Sequence, residues 1–183
     1  AILGFSDLMA TLADNMTPAQ IREYAGLVHQ GGDNLLKIIN QIMDLTKISA
    51  GRYDLRLTPM DAGGVLWMMR EIFLSRATAR GIEIDAGRCP VGLMVQADEA
   101  VFTAMMHALM ENAVSFTTGN KITLSVSATE AGVTVTVEDN GDGVAAEDLA
   151  RILEQFEHAG RAECAHHTKG AGLGLTLIKA FAE

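Results

Sequence analysis

Three short stretches of this chain combine residue types that can do chemistry. Asp139-Asn140-Gly141-Asp142-Gly143 stands at the end of an alternating run, Val133 to Glu138. A buried carboxylate at a strand end can accept a hydrogen bond from an exocyclic amine, and the glycines let the backbone approach a flat ring or turn sharply. The same residues also suit a plain turn. They share features with a calcium loop but lack its distal Glu spacing. Gly170-Ala171-Gly172-Leu173-Gly174-Leu175 leads straight into a helical pattern. Glycine amides at a helix N-terminus form an anion cradle suited to phosphates. A dinucleotide-binding turn would need a strand immediately before it, and here a polar stretch, AECAHHTK, precedes it. A phosphate loop and a bare loop-to-helix junction therefore both stay open. The third stretch, Glu111 to Thr117 (ENAVSFT), ends a strongly apolar helical pattern. The amide oxygen of Asn112 can ligate a magnesium ion that bridges nucleotide phosphates, or Asn112 can simply mark the end of a helix.

The elements that must position these residues follow from periodicity. Residues 1–14 read as an amphipathic helix broken by Asn15 and Met16. Thr17-Pro18-Ala19-Gln20 then carries two helix-start signals, Pro at the first helical position and a Thr-to-Gln capping box. The helix that follows places Ile21, Tyr24, Val28, Gly31, Leu35, Ile38, Ile42 and Leu45 at alternating steps of three and four, a heptad seam. Gly31-Gly32 within it suggests a bend or a close helix approach, and Gly51 a C-terminal cap. Such a hairpin cannot bury two apolar faces by itself. A second copy completing a four-helix bundle is the natural partner, with packing against the rest of the chain as the alternative.

Beyond Gly51 the pattern changes. Tyr53–Thr58 alternates as a strand, and Pro59 with Asp61 starts a helix through about Ala79. Ile82–Ile84 and Leu93–Val95 read as short strands, Asp98 opens a helix to about Phe116, and Lys121–Ala128 and Val133–Glu138 are strands with strict alternation. A short helix from about Glu147, an irregular segment over 157–171 and a helix from Leu173 complete the pattern. The expected fold class is α+β: an N-terminal helical hairpin followed by a two-layer α/β sandwich.

The 183 residues suffice for one full domain and a smaller partner. Hydrophobic residues make up 49% and charged residues 20%, with a formal net charge of -9. An acidic chain is not expected to grip nucleic acid or an anionic membrane by electrostatics. Cys89 and Cys164 lie far apart and outside metal-type spacing, which argues against a disulfide framework and for a reducing, cytoplasmic compartment. No apolar run reaches the ~18 residues of a membrane span, and no signal peptide opens the chain. The first residues read as mid-helix and the last lack a terminator. A fragment is therefore expected, with any membrane association carried by parts outside this chain.

Taken together and in this order, the motifs resemble the histidine-kinase branch of the Bergerat-fold ATPases. NAVSFT resembles that family's N box, DNGDG its G1 box, Phe156 in ILEQFEHAG its F box, and GAGLGLTLIK its G2 box. AILGFSDLM resembles the stretch after the phospho-acceptor motif, and LLKIINQIMDLTKISAGRYDL the second hairpin helix and its join to the kinase domain. The resemblance implies a dimerisation and phosphotransfer hairpin over 1–52 and an ATP-binding domain over 53–183. It implies ATP and Mg²⁺ as cofactors, with Asn112 on the metal and Asp139 reading the adenine amine. Gly141 and Gly143 would shape the base pocket, and Gly170, Gly172 and Gly174 would wrap the phosphates. Residues 157–169 would form the ATP lid, in which Arg161, His166, His167 and Lys169 could meet phosphate charge. His166 and His167 are adjacent, point apart and lack companions for a metal site. The acceptor is expected upstream of Ala1, so His29 on the second helix reads as a surface residue. A response regulator, a second copy of the chain and another kinase are the implied partners.

Two positions depart from the family. Ala108 stands where its kinases carry a second Asn and its ATP hydrolases a catalytic Glu, and Ser115 stands where Lys or Arg is usual. Glu111 cannot replace the lost base, since one helical step turns it about 100° away from Asn112. His107 does not occupy the expected position either. Each loss is worth roughly 2 kcal/mol where charge is desolvated. These departures resemble an atypical branch in which tyrosine replaces the acceptor histidine. Three functions are thus weighed: an active kinase, a degenerate kinase acting as an interaction scaffold, and a Bergerat-fold serine kinase acting as an anti-sigma factor, which does not need the heptad hairpin.

Overall fold

The computed structural model describes residues 2–130, 132–146, 148, 149, 152 and 174–182. It divides into two compact units, residues 1–46 and 47–183.

In the first unit, α1 (Ile2–Leu12) ends in a 3₁₀ turn (Ala13–Asn15), and α2 (Pro18–Ser49) begins after Thr17. The capping box forms: Gln20 N–H donates to Thr17 Oγ1 at 3.3 Å, and Thr17 N–H donates to Gln20 Oε1 at 2.9 Å. Gly31 has the close-approach role that its type suggests, because a Cβ there would come within 2.6 Å of Ile2. Gly32 meets nothing within 4 Å. The Phe5 and Tyr24 rings pack tilted at 40°, 5.5 Å between centroids. Ile21, Leu35, Ile39 and Ile42 remain exposed along α2.

The end of α2 opens the second unit. Gly51 adopts a left-handed φ of 62°, its N–H donates to Ile48 O, and Arg52 N–H donates to Lys47 O. That is a Schellman closure, and it stops the helix where the sequence places the cap.

A two-stranded antiparallel ribbon follows, β1 (Thr58–Asp61) against β3 (Met94–Ala97). The strand expected over Tyr53–Thr58 is displaced to Thr58–Asp61, because pairing with β3 sets the register rather than local alternation. Pro59 therefore lies in a strand opposite Gln96, tolerable in a ribbon that is all edge. The helix α3 (Ala62–Ala79) starts directly after Asp61. The main sheet is mixed: β2 (Glu83–Arg88) runs parallel to β4 (Lys121–Thr129), which pairs antiparallel with β5 (Gly132–Asp139). Between them lies α4 (Glu99–Phe116), and α5 (Gly174–Ala182) packs on α4. The short helix expected from Glu147 and the irregular segment after it fall largely outside the described residues.

Alternation along β4 turns Ile122, Leu124 and Val126 into the core, with Ile84 and Ala86 of β2 beside them. Leu66, Met69 and Phe73 of α3 and Met106, Met110 and Val114 of α4 cover this face. At roughly 25 cal/mol per Å² of apolar surface buried, these contacts dominate the unit's stability. The opposite sheet face is polar, with a Lys121–Asp85 ion pair at 2.9 Å. Helices on one face and solvent on the other make the expected two-layer α/β sandwich.

Candidate functional site

The site gathers where α4, β5 and α5 end. α4 starts firmly: Asp98 accepts hydrogen bonds from Ala100 N–H at 3.1 Å and Val101 N–H at 3.2 Å. Arg56 N–H also donates to this carboxylate at 3.0 Å. Backbone donors, Arg56 first, hold the Asp98 carboxyl below the usual carboxylate range. At the other end, the Arg80 guanidinium donates to the carbonyls of Val114 and Thr117, capping the helix with positive charge.

Asp139 ends β5 at one side of the site. Thr117 Oγ1 donates to Asp139 Oδ1 at 2.9 Å, and Gly141 N–H donates to the same oxygen at 2.9 Å. Asp139 Oδ2 accepts no hydrogen bond among the described residues, so it remains available to an amine donor. Asp139 is exposed, which corrects the expectation of a buried carboxylate. Among the described residues β5 lies at the edge of the main sheet, and none of them covers its last residue from that side.

The rest of the DNGDG loop is tied to the turn between α4 and β4. Asn140 Oδ1 accepts from Asn120 N–H at 2.9 Å and Lys121 N–H at 2.8 Å, while its Nδ2 donates to Asn120 Oδ1 at 2.9 Å. Asp142 N–H donates to Thr118 Oγ1 at 2.9 Å. A Cβ on Gly141 would press on Asp139 Oδ1 at 2.8 Å and Thr117 Oγ1 at 2.9 Å, so this glycine is needed for the close approach. Gly143 has a left-handed φ of 73°, the turn its type suggests.

Asn112 lies half-buried on α4, and its side chain makes no hydrogen bond among the described residues. Ala108, one turn earlier, faces α5, where a Cβ on Gly174 would sit 3.7 Å from that of Ala108. The helix after the glycine run thus abuts the helix that carries Asn112. Lys169, Gly170, Gly172, Phe156 and the expected lid over 157–169 lie outside the described residues. No cluster of three or more His, Cys, Asp or Glu able to hold a metal occurs among the described residues. An ion here would therefore depend on the Asn112 amide together with oxygens brought by a ligand, a combination that suits phosphate-borne Mg²⁺.

Thr117 was not singled out from the sequence, although it is the buried hydroxyl that orients Asp139 and also accepts from Gly119 N–H at 3.1 Å. Its position one residue past the helix end, beside a glycine turn, is the signal that could have found it.

Residues 97–183 match the family described as histidine kinase-, DNA gyrase B- and HSP90-like ATPase. Over 184 residues the chain is 33% identical to the histidine protein kinase DivJ of Caulobacter vibrioides, covering 100% of this chain and 30% of DivJ. The full-length structure of ShkA in complex with AMPPNP superposes with a TM-score of 0.73 at 31% identity, covering 99% of this chain and 37% of that one. Residues 97–183 thus carry this ATPase domain, and over its whole length the chain is similar to histidine kinases. The histidine kinase AdeS of Acinetobacter baumannii shares the fold, with a TM-score of 0.70 at 18% identity, 98% of this chain and 81% of that chain being covered. The chain spans about a third of the length of DivJ and of ShkA. No helix among its described residues is long and apolar enough to cross a membrane.

Proposed function

We propose that this chain is the core of a two-component sensor kinase that binds Mg-ATP and moves its γ-phosphoryl group to an acceptor on the dimerisation helix, then to a response-regulator aspartate. Residues 1–52 are the dimerisation and phosphotransfer hairpin, and residues 53–183 are the ATP-binding domain. The observation that carries this reading is the meeting of three motifs: Asp139 with a free acceptor oxygen, Asn112 without a protein partner, and Gly174 against the Asn112 helix.

Asp139 Oδ2 accepts the adenine exocyclic amine, while Thr117 and Gly141 fix the carboxylate from its other oxygen. Gly141 and Gly143 keep the loop thin enough for a flat ring to approach. Asn112 holds Mg²⁺, and Gly170, Gly172 and Gly174, with Lys169, wrap the phosphates at the start of α5. When bound, the ion neutralises phosphate charge and orients the transferring group. Positioning and charge neutralisation carry most phosphoryl transfer, so the chain needs no covalent chemistry of its own in this domain.

The exposed stripe of Ile21, Leu35, Ile39 and Ile42 supports pairing of the hairpin with a second copy. An extended dimer carrying the acceptor, incubated with γ-labelled ATP, should become labelled and pass the label to a response regulator. A dimer that binds Mg-ATP yet never acquires label contradicts kinase activity.

One observation favours a second reading, a degenerate kinase serving as a scaffold for a response regulator or another kinase. Ala108 offers no polar atom beside Asn112, and Ser115 offers no charge. Under that reading, restoring Asn at 108 and Lys at 115 creates labelling that the natural protein lacks. Normal labelling of the natural protein excludes it.

A further inference from the structure

On the α3 side of α4 lies a charged cluster that the proposed nucleotide contacts leave unused. Arg76, near the end of α3, donates from Nη1 to Glu111 Oε2 at 2.7 Å and from Nη2 to Glu111 Oε1 at 2.9 Å. Its Nη2 also reaches Ser115 Oγ at 3.4 Å, and Ser115 Oγ donates to Glu111 Oε1 at 3.4 Å. The guanidinium plane lies 5.5 Å from the Phe73 ring, which supports its stem. A cation rooted on another helix is thus delivered to residue 115 of α4, where the sequence provides only a hydroxyl.

Helical geometry decides which way that cation can act. Residue 115 is three positions after Asn112, about 60° around the helix axis and within one turn of it. Arg76 is half exposed, at 51% of its side chain, so its head can turn without leaving a core. The guanidinium fork that matches a carboxylate also matches a phosphate. A polyphosphate at Asn112 would compete with Glu111 for the same donors, and the displaced carboxylate, 34% exposed, would meet water.

We propose that Arg76 is a phosphate-binding cation for the nucleotide, supplied from α3 in place of a basic residue at position 115, with Glu111 holding it in position until the phosphates arrive. This rests on the adenine-nucleotide reading of the site. Glu111 is then the resting partner that the phosphates displace, and its hydrogen-bonded carboxylate raises the guanidinium pKa above its ordinary value.

Binding of ATP and of adenosine to the full chain, with Mg²⁺ present, tests this. Arg76→Ala should weaken ATP binding about tenfold or more, the size of one lost charge-assisted contact, and leave adenosine binding unchanged. Adding Ser115→Arg to that variant should restore ATP binding in large part. If Arg76→Ala lowers both affinities equally in a folded protein, or neither, Arg76 is only a clamp between helices and the proposal is overturned. Should Arg76→Ala fail to fold, Glu111→Gln decides: it breaks the ion pair but keeps the cation. ATP affinity that holds or rises supports the proposal, and affinity that falls overturns it. A folded natural chain that binds neither ATP nor adenosine overturns the nucleotide reading itself, and this proposal with it.

Discussion

The two ends of the candidate site are built very differently. At the Asp139 end, nearly every polar group is engaged: Thr117, Gly141, Asn140, Asn120 and Thr118 form a continuous hydrogen-bond network between the DNGDG loop and the α4–β4 turn. At the Asn112 end, α4 carries Ala108 and Ser115 where a polar group and a cation would serve phosphate chemistry, and a guanidinium from α3, paired with Glu111, reaches Ser115. Dense networks resist rearrangement and recognise a partner by fixed geometry. Sparse ends leave developing charge less stabilised. Under the proposed function, the contrast separates the residues that would recognise a base from those that would serve phosphoryl transfer, and the first set is the more completely bonded.

The strongest way to break the comparison is Asp139→Asn. Exchange of an acceptor for an amide at the bonded end should lower ATP affinity roughly 100-fold, the scale of a hydrogen bond to a charged group that becomes a mismatch. Isothermal titration reads it directly. An affinity change below threefold would place base recognition elsewhere.

Next comes the restoring pair at the sparse end. Ala108→Asn with Ser115→Lys should raise phosphoryl transfer in an acceptor-bearing dimer about tenfold, a modest share of what a placed donor or cation contributes. Initial rates of labelling measure it. No gain would mean that the sparse end is not what limits transfer.

Thr117→Val sharpens the same contrast through stability. It removes a buried hydroxyl, 6% exposed, that serves Asp139 and Gly119 together. The loss should be about 1–3 kcal/mol in urea unfolding, because Gly119 N–H and Asp139 lose a partner at once. Affinity for adenosine should fall with it.

Much of the framework was legible in the chain itself. The capping box at Thr17 and Gln20, the Gly51 closure, the Asp98 cap and the paired β4 and β5 strands are local devices, and local sequence specifies them. Long-range pairing was not legible. β1 slides to Thr58–Asp61 because β3 dictates its register, and β2 runs to Arg88, past the Ile82–Ile84 segment expected from pattern. Asp139 is exposed at the end of a strand that lies at the edge of the sheet among the described residues, a placement that only topology decides. The motif residues Asn112, Asp139, Gly141, Gly143 and Gly174 could be named in advance because their types and order are distinctive. Thr117 is marked only by its place one residue past a helix end, and nothing local marks Arg76, which reaches Ser115 from a different helix.

The smallest effect concerns pH. Backbone donors lower the folded-state pKa of Asp98 below its unfolded value. Its stabilisation is therefore present above the unfolded carboxylate pKa and lost as pH falls through the lower, folded one. Asp98→Asn should keep the cap geometry yet flatten the acid limb of the stability curve, as followed by circular dichroism during an acid titration. An unchanged acid limb would show that this cap does not titrate with folding.

The most direct test of the central claim is equilibrium binding of ATP to the chain, with and without Mg²⁺. Micromolar to sub-millimolar affinity that strengthens when Mg²⁺ is added is expected, because the described residues at the Asn112 end offer too few ligands to hold the ion without the phosphates. No detectable binding in a chain shown to be folded would contradict the claim, and would leave the well-bonded Asp139 loop as structure alone.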